Sequence, residues 1–98
     1  MASCCDRYKK ENRSEEEINN IVNRFNRLIG QLSGVKKMVE ENRYCVDVLI
    51  QMSAIESALK EISYIILKEH LSSCVTKDIL EGRKETIDET MDIIRKIK

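Results

Sequence analysis

Apolar residues in the first part of the chain fall at Ile18, Ile21, Val22, Phe25, Leu28, Ile29, Leu32, Val35 and Val39. Steps of three and four draw one stripe along an α-helix. Ser14, followed three residues later by Glu17, is a capping-box signature: the hydroxyl accepts from an orphan amide and the carboxylate reaches back. The first helix is therefore expected to start at Ser14. Gly30 and Gly34 sit off the stripe, where each weakens the helix and leaves room for another backbone to approach. Glu41-Asn42-Arg43 marks a break. A second helix is expected from about Tyr44 to about Thr76, with Val48, Leu49, Met52, Ile55, Leu59, Ile62 and Ile66 on one side. Ala54, Ala58 and Ile65 widen that side, so this helix should touch more than one neighbour. Glu81-Gly82-Arg83 is a second turn, with Gly82 suited to a helix stop. A third helix, from about Lys84 to Ile97, should turn Ile87, Met91, Ile94 and Ile97 inward.

The expected fold class is all-α. Residues 14–98 form a single three-helix domain behind a mobile tail over residues 1–13. A helix of about 30 residues is roughly 45 Å long, too long for one small three-helix protomer to cover. Two copies of helix two should therefore pair in an antiparallel four-helix-bundle dimer. The chain has 98 residues, no proline and three glycines, which suits long helices in a small protein stabilised by oligomerisation. No apolar run reaches the roughly 18–20 residues of a membrane span. Residues 1–13 lack a signal-peptide apolar core, so a cytoplasmic location is expected. In that setting four cysteines read as thiols or metal ligands rather than disulfides. Charged residues make up 35% of the chain and cancel to zero net charge. DNA binding would then require positive charge gathered on one face.

His70 and Cys74 are four apart on the expected second helix, so they project from one face a turn apart. Cys45 lies about 25 residues earlier on the same rod, roughly 37 Å away. One rigid helix cannot bring all three to one ion. Two antiparallel copies crossing near Ala58 and Leu59 can, which gives a symmetric dimer with two inter-subunit sites. Two thiolates and one imidazole form a soft donor set that favours copper(I); zinc accepts the same atoms but prefers a fourth ligand. Read singly, Cys45 would pass for a small buried apolar residue. Cys4 and Cys5 fall in the tail, as extra sulfur donors or oxidation-prone bystanders.

Asn23-Arg24-Phe25, Gly30-Gln31-Leu32-Ser33-Gly34-Val35, Arg43-Tyr44-Cys45-Val46-Asp47-Val48-Leu49, Gln51-Met52-Ser53-Ala54 and His70-Leu71-Ser72-Ser73-Cys74-Val75 together resemble the copper-sensitive operon repressor (CsoR) family, over about residues 18–95. In that family the copper branch carries Cys, His and Cys. The formaldehyde-sensing branch lacks the third ligand, the persulfide-sensing branch lacks the histidine, and nickel and cobalt sensors add an N-terminal histidine. The only histidine here is His70. The resemblance thus implies Cu(I) held by Cys45 of one subunit and His70 and Cys74 of its partner. It also implies a tyrosine and a glutamate supporting the site. Tyr44 matches the tyrosine, and Glu89 supplies the glutamate across a loop near Gly82 that is one residue shorter. A carboxylate on the other ring nitrogen would orient His70; the plainer reading of Glu89 is a solvated helix charge.

Asn20, Arg24, Arg27 and Gln31 recur at i, i+4, i+7 and i+11, a polar strip beside the apolar stripe. Arg24 matches the helix-one arginine that the family uses on DNA, and Lys36, Lys37 and Lys60 are candidates to extend the basic face. Any one lysine is by itself a plain solvated charge. No helix-turn-helix is legible, so phosphate contacts and groove shape should dominate. The resemblance implies a dimer-of-dimers homotetramer that grips operator DNA when metal-free and releases it with Cu(I). Copper would then favour the conformation with low DNA affinity. Two other readings stay open: a persulfide or electrophile sensor using Cys45 and Cys74, and a copper-buffering protein without DNA function. An enzyme is not expected, since no glycine-rich loop and no second acid/base group accompany His70.

Overall fold

The computed structural model describes residues 13–97, and every element among them is helical. The order is α1 (Glu15–Glu40), α2 (Cys45–His70), a π-helical turn (Leu71–Val75), α3 (Thr76–Leu80) and α4 (Glu85–Ile97). The all-α expectation holds. Cys4, Cys5 and the rest of the expected tail up to residue 12 lie outside the described residues. No helix among the described residues is long and apolar enough to cross a membrane. The chain divides into two compact units with their boundary inside α2: residues 13–62, and a second whose described part is residues 63–97.

In the first unit the capping box forms as its sequence dictates. The Ser14 amide donates to Glu17 Oε1 at 2.9 Å, and the Glu17 amide donates to Ser14 Oγ at 3.1 Å. Ile21, Leu28 and Val35 are the buried residues of α1. They recur every two turns, while Ile18, Val22, Phe25, Ile29, Leu32 and Val39 on the same stripe stay exposed. Around Gly30 and Gly34 the space is open: among the described residues nothing lies within 4 Å of a Cβ built at either. Helix α1 ends in a Schellman motif. The Arg43 amide donates to the Met38 carbonyl at 2.9 Å and the Asn42 amide to Val39 at 3.1 Å. Asn42 takes a left-handed φ of 55°, a conformation asparagine tolerates better than most residues.

In the second unit the helical path runs on to Leu80, beyond the expected end near Thr76, and is interrupted by the π turn. Side-chain hydroxyls account for that interruption. Ser72 Oγ donates to the Lys68 carbonyl at 2.7 Å, Ser73 Oγ to Glu69 at 2.8 Å and Thr76 Oγ1 to Leu71 at 2.7 Å. Hydroxyls that take up helix carbonyls bend and widen the ladder. A second Schellman motif closes α3: the Arg83 amide donates to Asp78 at 2.8 Å and the Gly82 amide to Ile79 at 3.0 Å. Gly82 adopts φ 81°, as its place in the turn required.

Helix α4 corrects one expectation. Ile87 and Met91, expected inward, are 39% and 45% exposed, whereas Thr86 and Thr90 are buried. The packed face is turned by roughly 100°, one residue's step. Its buried members are polar because Thr86 Oγ1 donates to the buried carboxylate of Asp78. That bond fixes which side of α4 faces the unit's interior, and Ile94 and Ile97 follow only as half-buried residues. On α2, Ile62 is buried as expected, but Leu49, Met52 and Leu59 are exposed.

Candidate metal centre

His70 closes α2 and Cys74 lies in the π turn that follows. Cys74 is in no disulfide and is buried, 3% exposed. Ser73 Oγ lies 3.7 Å from its sulfur. The His70 ring is half-buried, with Nε2 at 2.9 Å from Thr90 Oγ1. Thr90 Oγ1 in turn donates to the Thr86 carbonyl at 2.7 Å. Thr86 reaches Asp78, and the Arg83 guanidinium lies 3.8 Å from that carboxylate. Polar contacts thus run from the imidazole through α4 to α3, and Thr90, Thr86 and Asp78 are all buried.

Here the structure revises a sequence-based expectation. The contact on the His70 ring expected of Glu89 is made by Thr90, which sequence reasoning passed over. Glu89 is its neighbour and lines the same cavity of about 460 Å³ beside His70, with Ser63, Ile66, Leu67 and Ile93. Glu89 Oε2 is buried and has no hydrogen-bond partner among the described residues. The signal for Thr90 was present as two threonines four apart, Thr86 and Thr90, on a helix otherwise apolar on that side. Only the fold shows that Asp78 and His70 lie at their two ends.

Cys45 is the first residue of α2 and is exposed. It borders a hollow of about 370 Å³ together with Val39, Asn42, Arg43, Val48 and Leu49. Tyr44 beside it is 69% exposed. Among the described residues no group of three His, Cys, Asp or Glu side chains is gathered to hold an ion. As donors, a buried thiol and an oriented imidazole a turn apart suit a soft, low-coordinate metal.

Asn20, Arg24, Arg27 and Gln31 all lie on α1, within an arc of about 60° at 100° per residue. Asn20, Arg27 and Gln31 are exposed. Arg24 is half-buried, and its Nε is buried without a hydrogen-bond partner. Lys36 and Lys37 are exposed on α1, but lie roughly 110° to 150° round the helix from that strip and do not continue it. Lys60 lies half-buried on α2.

Comparison with known proteins adds relatives to this geometry. The family model for metal-sensitive transcriptional repressors matches residues 17–96. The copper-sensing transcriptional repressor CsoR of Bacillus subtilis is 40% identical over 85 residues, 86% of this chain and 84% of that protein. The copper-sensing repressor RicR of Mycobacterium tuberculosis is 45% identical over 67 residues, 68% of this chain and 70% of that protein. Among solved structures, the Cu(I)-bound copper-sensing repressor CsoR of Geobacillus thermodenitrificans superposes with a TM-score of 0.83 at 47% identity, covering 88% of this chain and 91% of its own. The nickel-responsive regulator InrS superposes with a TM-score of 0.71 at 36% identity, covering 90% of this chain and 100% of its own. One fold thus carries sensors of different metals, and the donor atoms must decide between them.

Proposed function

This chain belongs to the metal-sensitive transcriptional repressors, and we propose that it is a copper(I)-responsive repressor whose metal-free form binds operator DNA. The observation that carries the reading is the placement of the donors on α2. Cys45 opens that helix and His70 closes it, so one copy of α2 carries its donors at opposite ends. The site is therefore completed between two antiparallel copies, with Cys45 of one chain facing His70 and Cys74 of the other. Copper(I), when bound, supplies a soft cross-link between two thiolates and an imidazole. The single histidine leaves no second imidazole for the nitrogen-rich sets that suit nickel.

The rest of the work falls to the chain. Exposed apolar residues of α2, among them Leu49, Met52 and Leu59, bury against the second copy. Ligation ties the start of one α2 to the π turn of the other. Thr90 carries that constraint into α4, and the strip on α1 centred on Arg24 holds the phosphates. A coupling of about 3 kcal/mol between metal and DNA suffices to clear an operator. The assembly is a homotetramer built from two such dimers, and its role is regulatory binding in the cytoplasm rather than catalysis.

Anaerobic Cu(I) titration followed by X-ray absorption tests the reading, alongside release of the protein from its upstream promoter DNA. The expected result is one copper per chain with two sulfurs and one nitrogen, and His70→Ala abolishing copper-driven release. Release that survives in that variant and follows persulfide instead would overturn it. So would a metal-free protein that forms no salt-sensitive complex with the promoter.

A further inference from the structure

We propose that Thr90 is the positioning residue of the His70 ring, setting its tautomer before any metal arrives. Thr90 draws its own orientation from the buried Asp78–Thr86 pair. The inference deepens the copper-site reading and rests on it for its biological meaning, but the chemistry is a property of the metal-free chain.

The argument is one of proton counting. A threonine hydroxyl owns one proton, and a carbonyl can only accept. Thr90 Oγ1 lies 2.7 Å from the Thr86 carbonyl and gives its proton there. It therefore meets His70 Nε2, 2.9 Å away, as an acceptor. The ring must carry its hydrogen on Nε2, and in the neutral imidazole the lone pair sits on Nδ1. Ring nitrogen roles are set by the bond the other nitrogen makes. Here that bond goes to a neutral hydroxyl, where a carboxylate from α4 had been expected.

The hydroxyl cannot turn freely to accommodate either tautomer. Thr90 is 4% exposed and Thr86 and Asp78 are both at 0%, so water does not compete for these groups. Thr86 Oγ1 donates to Asp78, which pins the α4 turn whose carbonyl Thr90 addresses. Asp78 is tied to the Arg83 turn by the backbone bond at 2.8 Å and by the guanidinium at 3.8 Å. The ring's orientation is thus set through one turn of α4, where Thr90 is held by the Thr86 carbonyl and Thr86 by its own bond to Asp78.

The metal-free protein labelled with nitrogen-15 tests this, because its one histidine gives unambiguous ring signals. Above the ring's titration, two-bond proton–nitrogen correlations should show Nε2 protonated and Nδ1 bare. Thr90→Ser should keep that pattern, whereas the isosteric Thr90→Val should lose it and show a mixture of tautomers. Anaerobic Cu(I) affinity should fall about 10-fold in Thr90→Val and recover in Thr90→Ser, within the range for lost support of a metal ligand. A wild-type ring protonated on Nδ1, or a Thr90→Val ring unchanged from wild type, overturns the proposal without any reference to copper. Should the tautomer pattern hold while wild-type protein binds no Cu(I), the copper reading falls and the assignment of Thr90 stands.

Discussion

Asp78 and Thr86 join the two shortest-range consequences of this sequence: the turn at residues 81–83 and the orientation of α4. Removing the hydroxyl while keeping the shape, as in Thr86→Val, leaves a carboxylate at 0% exposure short of one donor. The loss of unfolding free energy should be about 2 kcal/mol by urea denaturation. A change under about 0.5 kcal/mol, typical of surface sites, would show that the pair does not hold α4. Arg24→Ala should weaken promoter binding and reduce the slope of log affinity against log salt by about 1. An unchanged slope would remove Arg24 from the DNA face. At this scale the sequence was legible where chemistry is local. Ser14, Glu17 and Gly82 announced their roles, because a cap or a left-handed turn needs only its neighbours. Thr90 was not legible, because its role depends on His70, about 20 positions away, and apolar periodicity ranks a threonine below the isoleucines beside it.

Helix boundaries were legible to within a few residues for α1 and α4, where a cap and a glycine mark them. The π turn was not, since Ser72, Ser73 and Thr76 read as ordinary polar helix residues until their hydroxyls are seen on the carbonyls of Lys68, Glu69 and Leu71. Two substitutions test what holds the elements. Ser14→Ala should lower stability by about 1 kcal/mol through loss of the capping box, read by thermal or urea unfolding. Gly82→Ala, forced to φ 81°, should lower it by a similar amount, about 1 kcal/mol. The inward face of α4 shows how a hydrophobic pattern misleads. Ile87 and Met91 are the more apolar pair, yet Thr86 and Thr90 are the ones buried, and a single buried hydroxyl–carboxylate bond decides between the two faces.

For the whole molecule, the proposed copper site draws on one exposed and one buried cysteine, Cys45 and Cys74, from two different chains. The exposure of Leu49, Met52 and Leu59 points the same way, since a soluble helix leaves few large apolar residues in water unless another surface covers them. Complementation between two inactive chains tests this most directly. Cys45→Ser chains and His70→Ala/Cys74→Ser double-variant chains should each bind no Cu(I) alone. When the two are co-expressed and the mixed dimer is isolated, one intact site should form per dimer, from Cys45 of one chain and His70 with Cys74 of the other. Half the wild-type copper stoichiometry in that mixed dimer is the predicted result. A mixed dimer that binds no copper, or a Cys45→Ser dimer that keeps the full complement, would contradict the account.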